Sequence, residues 1–480
     1  MFDLNLEQMF HRLEEYAPVF TKMKHAVRQA TTDRQRLREI ERVVNGSSWT
    51  DRTRDNDNDG PRALFLSPRF WPIHQGWELT FAWMAAQAGY RPHFLGCGAI
   101  TPICDAYRVE HHLGMYCDRC THMLRHTFET ARMPHEFMAD YIGDYQQAIT
   151  SAQSRTDSLS LAELLAFTHD GSPIGEWIKN PLIRYLRREL TDDEQTVAAA
   201  RMFLAGALVI YDVASRVLDQ NWDIVFMLCG KFLHERVFYE LARRRGIDVF
   251  VYERGYLADT LVMGFNSFVN EYEIGDAWPR LVSMPLTDEQ LNEVDRYMAV
   301  RRTGDRSSSV GKLDEFWPKI KTDHADIRDD LNLGEYKQIN LLCSNIVWDT
   351  AAIGRETAFT GLFDWVRFCI GAVRDLDDSL LVIRVHPAEV RRKDQPTLDR
   401  LEDMIRREFP ELPENVRVVP AESPISTYAL GEIADRVLVY TSTIGIETAR
   451  LGKEVVVCGR THYARKGFTL DIDTQEQLRD

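Results

Sequence analysis

The chain has 480 residues, 44% of them hydrophobic and 27% charged, with a formal net charge of −15. That length supports two or three domains with separate cores, and that acidity argues against nucleic acid or an anionic membrane as the main partner. No run reaches the roughly 18 apolar residues of a membrane span, and the start MFDLNLEQMF lacks the basic and apolar regions of a signal peptide. The expectation is a cytoplasmic protein, and basic runs such as RYLRREL leave room for peripheral contact at the inner face of a membrane.

Residues 1–45 read as amphipathic helix, with Leu4, Leu6, Met9, Phe10 and Leu13 near helical spacing. The polar run NGSSWTDRTRDNDNDGPR reads as a linker. From Ala63 the pattern changes to strand (ALFLS), helix (GWELTFAWMAAQAGY) and strand (RPHFLGCG), a βαβ unit that implies a parallel sheet. A helical stretch covers about 120–220. Alternation then resumes with WDIVFMLCG, HERVFYELARRRG and IDVFVYERG. RRTGDRSSSVGK is polar and small, as an interdomain connection would be. A second alternating set follows: QINLLCSN, SLLVIRVHP, VRVVP, RVLVY and EVVVCG, with helices between them. The organisation expected is 1–60 helical extension and linker, 61–300 first Rossmann-like domain with a helical insertion, 301–335 connection, and 336–480 second Rossmann-like domain, the two facing a cleft.

In YTSTIGIETARLG, Thr441, Ser442 and Thr443 lie in the turn between a buried strand and a helix. Ligands bind at such carboxyl ends of parallel strands, and a helix N-terminus suits a phosphate. Glu447 sits one turn into that helix, where a carboxylate can accept from ribose hydroxyls. The competing reading is an ordinary helix cap. In LVIRVHPAE, Arg384 and His386-Pro387 end another apolar strand, and a histidine there can donate to a phosphate or exchange a proton near neutral pH. The tail GRTHYARKGFT offers Arg460, His462 and Lys466 either as a cover for a bound ligand or as a solvated loop. SNIVWDT with Gly354-Arg355 opens the second domain, so Asn345, Asp349 and Arg355 are candidates to line the cleft.

In the first domain VYERGY places Glu253 and Arg254 at a strand end, and GKFLHER places Lys231, Glu235 and Arg236 nearby. Glu253 is one candidate catalytic base; His74, in SPRFWPIHQGWE beside Glu78, is the other. A Glu–Arg pair that locks the turn is the structural alternative. Of eight cysteines, four are spaced C-x6-C-x12-C-x2-C: Cys97, Cys104, Cys117 and Cys120. A structural zinc in this set stands against reduced, half-buried thiols, because the first gap is longer than usual for zinc.

LLCSNIVWDTAAIGRETAF, LVIRVHPAEVR, SPISTYALGEIADRVLVYTSTIGIETARLGKEVVVCGRTHYARKGFT and CGKFLHERVFYELARRRGIDVFVYERG together resemble the capsule polysaccharide biosynthesis family, from about Leu64 to Thr469. The resemblance implies the GT-B fold, with the C-terminal domain holding a nucleotide sugar and the N-terminal domain presenting a saccharide or lipid-linked saccharide acceptor. It implies Glu447 on the ribose, with His386 and the Thr441–Thr443 turn on the donor phosphate as in related CMP-sugar transferases. Arg384, Asn345, Arg355 and Lys466 complete the expected donor site. Catalysis without a metal cofactor is expected, with His386, Glu253 and His74 as catalytic candidates. The implied activity is sugar transfer to a bacterial surface or capsular polysaccharide, with CMP-sugar the first donor and UDP-sugar open. The alternatives are a teichoic-acid-like glycerophosphotransferase, a nucleotide-sugar epimerase-like isomerase and a non-catalytic nucleotide-sugar-binding protein.

Overall fold

The computed structural model describes residues 33–45, 59–106, 113–255, 260–271, 274, 277–303, 320–391 and 397–479. Most of the expected N-terminal helix, its linker and the interdomain connection after Thr303 lie outside these residues. The described part of the N-terminal segment, 33–45, is helical, and Leu37, Ile40 and Val44 pack against Phe65 and Phe94 of the first domain.

The first sheet contains β1 (Arg62–Leu66), β2 (Arg91–Gly96), β3 (His135–Phe137), β4 (Ile224–Leu228), β5 (Asp248–Arg254) and β6 (Leu261–Phe265). Their order is β3-β2-β1-β4-β5-β6, parallel except for β6, which runs antiparallel to β5. The second sheet contains β7 (Gln338–Cys343), β8 (Ser379–Arg384), β9 (Val416–Val419), β10 (Arg436–Val439), β11 (Glu454–Val457) and β12 (Leu470–Asp471). Its order is β12-β11-β10-β7-β8-β9. Both sheets are doubly wound, and the strand order reverses between β1 and β4 in one and between β7 and β10 in the other. Helices cover both faces, so these strands bury both sides and read as continuous apolar runs. β8, Ser379–Arg384, is buried along its whole length.

Five helices besides α6, defined below, matter to the site: α1 (Pro72–Gln87), α2 (Leu113–Thr130), α3 (Glu194–Leu218), α4 (Leu233–Arg244) and α5 (Asp288–Thr303). Asp193 caps α3 by accepting from the backbone N–H of Thr196 at 2.9 Å. By length and composition alone α3 could cross a membrane. Most of that stretch is buried: Phe203, Leu204 and Ile210 pack into the core of the first domain, each contributing about 2 kcal/mol by leaving water.

α5 runs to Thr303, and its side chains reach the second domain. Arg450 pairs with Asp295 at 2.8 Å, Arg302 pairs with Glu432, and Tyr297 and Arg301 reach Glu447.

Candidate functional site

The switch point of the second sheet is built on the two residues that follow β7. Ser344 Oγ accepts from the backbone N–H of His386 at 2.9 Å, and Asn345 Oδ1 accepts from the backbone N–H of Thr441 at 3.1 Å. Since β8 and β10 flank β7, one dipeptide ties the imidazole turn to the hydroxyl turn. The two flanking strands lie about 10 Å apart, two strand spacings, and face the same sheet edge. His386 is half-buried, and its Nδ1 accepts from the backbone N–H of Ala388 at 3.1 Å. The neutral ring therefore carries its proton on Nε2 as a donor.

The hydroxyls of the turn are not spent on capping helix α6 (Ile444–Arg450). Thr443 occupies the N-cap position without a side-chain cap bond, and Ser442 Oγ accepts from the Ile444 N–H only at 3.5 Å. Thr441 Oγ1 is buried with no hydrogen-bond partner among the described residues. A buried hydroxyl left this way costs about 1–3 kcal/mol, which a bound acceptor oxygen would recover. The tail loop holds the turn from behind: Tyr463 donates to the Ser442 carbonyl at 2.6 Å. Position 445 must be glycine, because a Cβ there would stand 2.3 Å from Tyr463 Oη.

Two residues of the expected donor set are committed elsewhere. Arg384 is 2% exposed, and its guanidinium donates to the carbonyls of Pro420 at 2.6 Å and Ser423 at 3.3 Å. It shapes the loop after β9 and does not project from the sheet edge. Glu447 is 4% exposed and accepts from Tyr297 at 2.9 Å and Tyr428 at 2.7 Å, with Arg301 Nε at 3.2 Å. In this structure its carboxylate clamps α5 to the second domain. Arg355 and Lys466 line a cavity of about 500 Å³ beside the turn, together with Gly459, Arg460, His462 and Glu271. Burial, then Arg355 and Lys466, hold the His462 imidazole down at about 4. Thr441–Thr443 do not line this cavity; Gly459 adjoins them, packing against the Tyr440 carbonyl.

Across the cleft, Glu253 is the penultimate residue of β5 and accepts from the Arg254 N–H at 2.9 Å. Burial raises its carboxyl above the usual range and Asp349 of the other domain adds to this, opposed by the Arg254 N–H and by Arg184. His74 lies between Trp71 and Trp77, with ring centroids 5.4 and 4.9 Å away. Its Nδ1 is buried without a partner, and burial followed by Arg69 lowers its pKa to about 4. Glu235 does not reach the cleft: it is 1% exposed and takes both guanidinium nitrogens of Arg69, at 2.6 and 2.9 Å. Beneath the edge, Glu78 accepts from Tyr252 at 2.6 Å, Gln75 at 2.7 Å and Ser67. Burial pushes Glu78 up to about 7 against the pull of the Ser67 and Tyr252 hydrogen bonds.

Among the described residues, no three His, Cys, Asp or Glu side chains are grouped to hold a metal ion. Cys97 and Cys104 lie in the segment after β2, Cys117 and Cys120 one turn apart on α2. Cys120 Sγ instead accepts from the Phe70 N–H at 3.1 Å, and burial pushes the Cys97 thiol up to about 12. Burial disfavours the thiolate form at all four, and Cys97 senses the charge of Cys117 and Cys120.

Sequence reading missed Ser344, Tyr463, Tyr297 and Tyr428. Ser344 alone carried a signal, being the residue beside Asn345 at the end of QINLLC; the tyrosines meet their partners only through tertiary packing.

Two doubly wound domains, each with polar residues at its switch point, define a two-domain α/β protein of GT-B architecture. Residues 332–479 match the family model of capsule polysaccharide biosynthesis proteins. No curated protein matches the chain. Among solved structures it is similar to the KpsC beta Kdo 2,4 transferase of Thermosulfurimonas dismutans, at 18% identity over 54% of this chain and 76% of that chain, TM-score 0.36. It is also similar to the beta Kdo 2,7 transferase KpsC of the same organism, at 16% identity over 56% and 79%, TM-score 0.32. UDP-GlcNAc 2-epimerase of Neisseria meningitidis is similar at 11% identity over 87% and 88%, TM-score 0.24. Likenesses this distant say nothing about chemistry, which has to be argued from the site.

Proposed function

We propose that the protein is a glycosyltransferase that moves a sugar from a nucleotide-activated donor, a CMP-sugar first, to a growing bacterial surface or capsular polysaccharide. The observation that carries this is the pairing of His386 and Thr441 with Ser344 and Asn345, which sets an imidazole N–H and a buried, unpartnered hydroxyl beside one switch point. Donors fixed before the reaction stabilise a leaving phosphate without reorganisation. In the transfer, the acceptor hydroxyl attacks the anomeric carbon and its proton passes to a base, for which Glu253 and His74 are the candidates. The bond from the anomeric carbon to the nucleotide phosphate breaks, and the phosphate leaves onto His386, Thr441, Ser442 and Thr443. Arg355 and Lys466 supply positive charge beside them. Asn345, Arg384 and Glu447 act as positioning residues for this edge.

A thermal-shift series with CMP-, UDP-, GDP- and dTDP-ligands tests the donor site. One nucleotide should stabilise the wild type, and His386→Ala should lose that response and lower kcat by about 100-fold, the loss typical of one oxyanion donor. No response to any nucleotide would remove the donor assignment. Product analysis separates a glycosidic linkage from the phosphodiester of a glycerophosphotransferase and from epimerised nucleotide sugar formed without acceptor.

A further inference from the structure

We propose that the cavity of about 850 Å³ between the two domains is a saccharide subsite, in which Tyr440 donates to a neutral sugar and Glu189, Glu356 and Asp364 accept from its hydroxyl groups. It rests on the glycosyltransferase reading for what that saccharide is, an acceptor, and not for its being bound.

Tyr440 carries the assignment. It directly follows β10, one residue before the hydroxyl turn, and lines this cavity, whereas Thr441–Thr443 do not. The residue is 1% exposed, and its Oη has no hydrogen-bond partner among the described residues. Its ring is set against Trp365, with centroids 5.7 Å apart. Burial raises the phenol most, followed by Glu356 and Glu189, then Cys458 and Asp364. The three carboxylates all line the cavity, so the protonated hydroxyl stands among them as a donor, yet none of them reaches it. Buried hydroxyls are nearly always paired, and one left open at a cavity of this size points to a ligand. Asn180, contributed by the first domain, repeats the pattern: its Oδ1 is buried at the same cavity and has no partner among the described residues.

The carboxylates are held in place but not used up. Glu189 Oε1, from the first domain, accepts from the Phe363 N–H of the second at 3.0 Å. Asp364 Oδ2 accepts from the N–H and Oγ1 of Thr360, each at 2.9 Å, and Glu356 Oε1 from the Gly354 N–H at 3.2 Å. The other oxygen of each makes no hydrogen bond among the described residues. The cations on the cavity answer to other groups. Lys179 pairs with Glu176 at 2.5 Å, Lys231 with Glu271 at 3.4 Å, Arg236 with Glu240 at 2.9 Å and Arg367 with Glu408 at 2.8 Å, while Arg460 donates to the Gly354 carbonyl at 2.6 Å. Among the described residues, no three carboxylates are grouped to hold a metal ion. Separate acceptors and one donor around a cavity suit a rigid ring that carries many hydroxyls, each donating to a carboxylate oxygen. Glu271 and Arg460 line both this cavity and the smaller one that holds Arg355 and Lys466, so a saccharide here lies next to the proposed donor site.

The test is binding of the labelled full chain to an array of neutral and acidic bacterial surface oligosaccharides, followed by calorimetric titration of the best ligand. A neutral oligosaccharide should bind. Tyr440→Phe should weaken it about fivefold, the loss of one neutral hydrogen bond, and Glu356→Ala about tenfold, the loss of one charge-assisted bond. Tyr440→Phe keeps the ring and removes only an unpartnered hydroxyl, and Glu356 is exposed, so both variants should unfold at the denaturant concentration of the wild type or above it. An array that retains no neutral oligosaccharide, or affinity equal in wild type and Tyr440→Phe, overturns the subsite. Saccharide binding that depends on Tyr440, with no response to any nucleotide, sinks the donor reading and leaves the subsite standing. A nucleotide response without saccharide binding does the reverse.

Discussion

Asn345 Oδ1 accepts a hydrogen bond from the backbone N–H of Thr441 at 3.1 Å, joining the ends of β7 and β10 across the switch point of the second sheet. The bond fixes the backbone of the hydroxyl turn while leaving the Thr441 side chain unengaged and buried. Stability and ligand binding should therefore respond in opposite directions to the loss of that hydroxyl. Thr441→Val keeps the shape and removes an unsatisfied polar atom. The unliganded protein should gain about 1 kcal/mol in denaturant unfolding, while nucleotide affinity falls in calorimetry. A variant that loses stability and keeps its affinity would make Thr441 purely structural.

The identity of the base is open to a pH–rate profile. A base acts only when deprotonated, so activity falls as pH drops through its pKa. With His74 held at about 4, a His74 base would sustain kcat/KM down to about that pH. Glu253 is raised above its ordinary 4.5 by burial and by Asp349, so a Glu253 base would place the acid limb above 4.5. We expect the limb above 4.5, absent in Glu253→Gln and retained in His74→Gln. A limb that shifts only in the His74 variant reverses the assignment.

Glu78 gives a pH dependence of stability independent of catalysis. Its folded pKa, about 7, lies above the ordinary 4.5, so the folded state holds the extra proton between those values. Stability from this group is greatest below pH 4.5 and declines as pH rises toward 7, by on the order of 3 kcal/mol. Urea unfolding of Glu78→Gln across this window should lack that decline. An unchanged slope would mean that the carboxyl is ionised throughout.

The Arg69–Glu235 pair is predicted to act through the fold. Both residues are buried, and Asp105 lies 3.4 Å from the same guanidinium. Arg69→Met should destabilise by about 3–5 kcal/mol, because Glu235 is left charged and unpaired. The double variant Arg69→Met, Glu235→Met should recover much of the loss. A double variant as unstable as the single one would show that the pair itself, and not the stranded charge, is what matters.

Part of this was legible in the chain itself. Apolar runs such as SLLVIR and QINLLC announced buried parallel strands, and both ligand-suited turns follow such runs. The places where sequence reading failed share a cause. Arg384 at a strand end looked available, yet its side chain turns back onto the Pro420 and Ser423 carbonyls. Glu447 looked like a ribose acceptor, yet α5 returns from 150 residues upstream to occupy it.

What the sequence determined by itself was local: alternating strand and helix, the polar turns that end the strands, and hence two doubly wound sheets with sites at their carboxyl edges. Those follow from hydrophobic periodicity and turn chemistry, which act over a few residues. Only the tertiary structure decided which of those polar groups meet one another. Strand order set β7 between β8 and β10, and so brought Ser344 and Asn345 between His386 and Thr441. Such contacts join residues 42 and 96 positions apart, and pairings at that range are chosen by how whole layers pack.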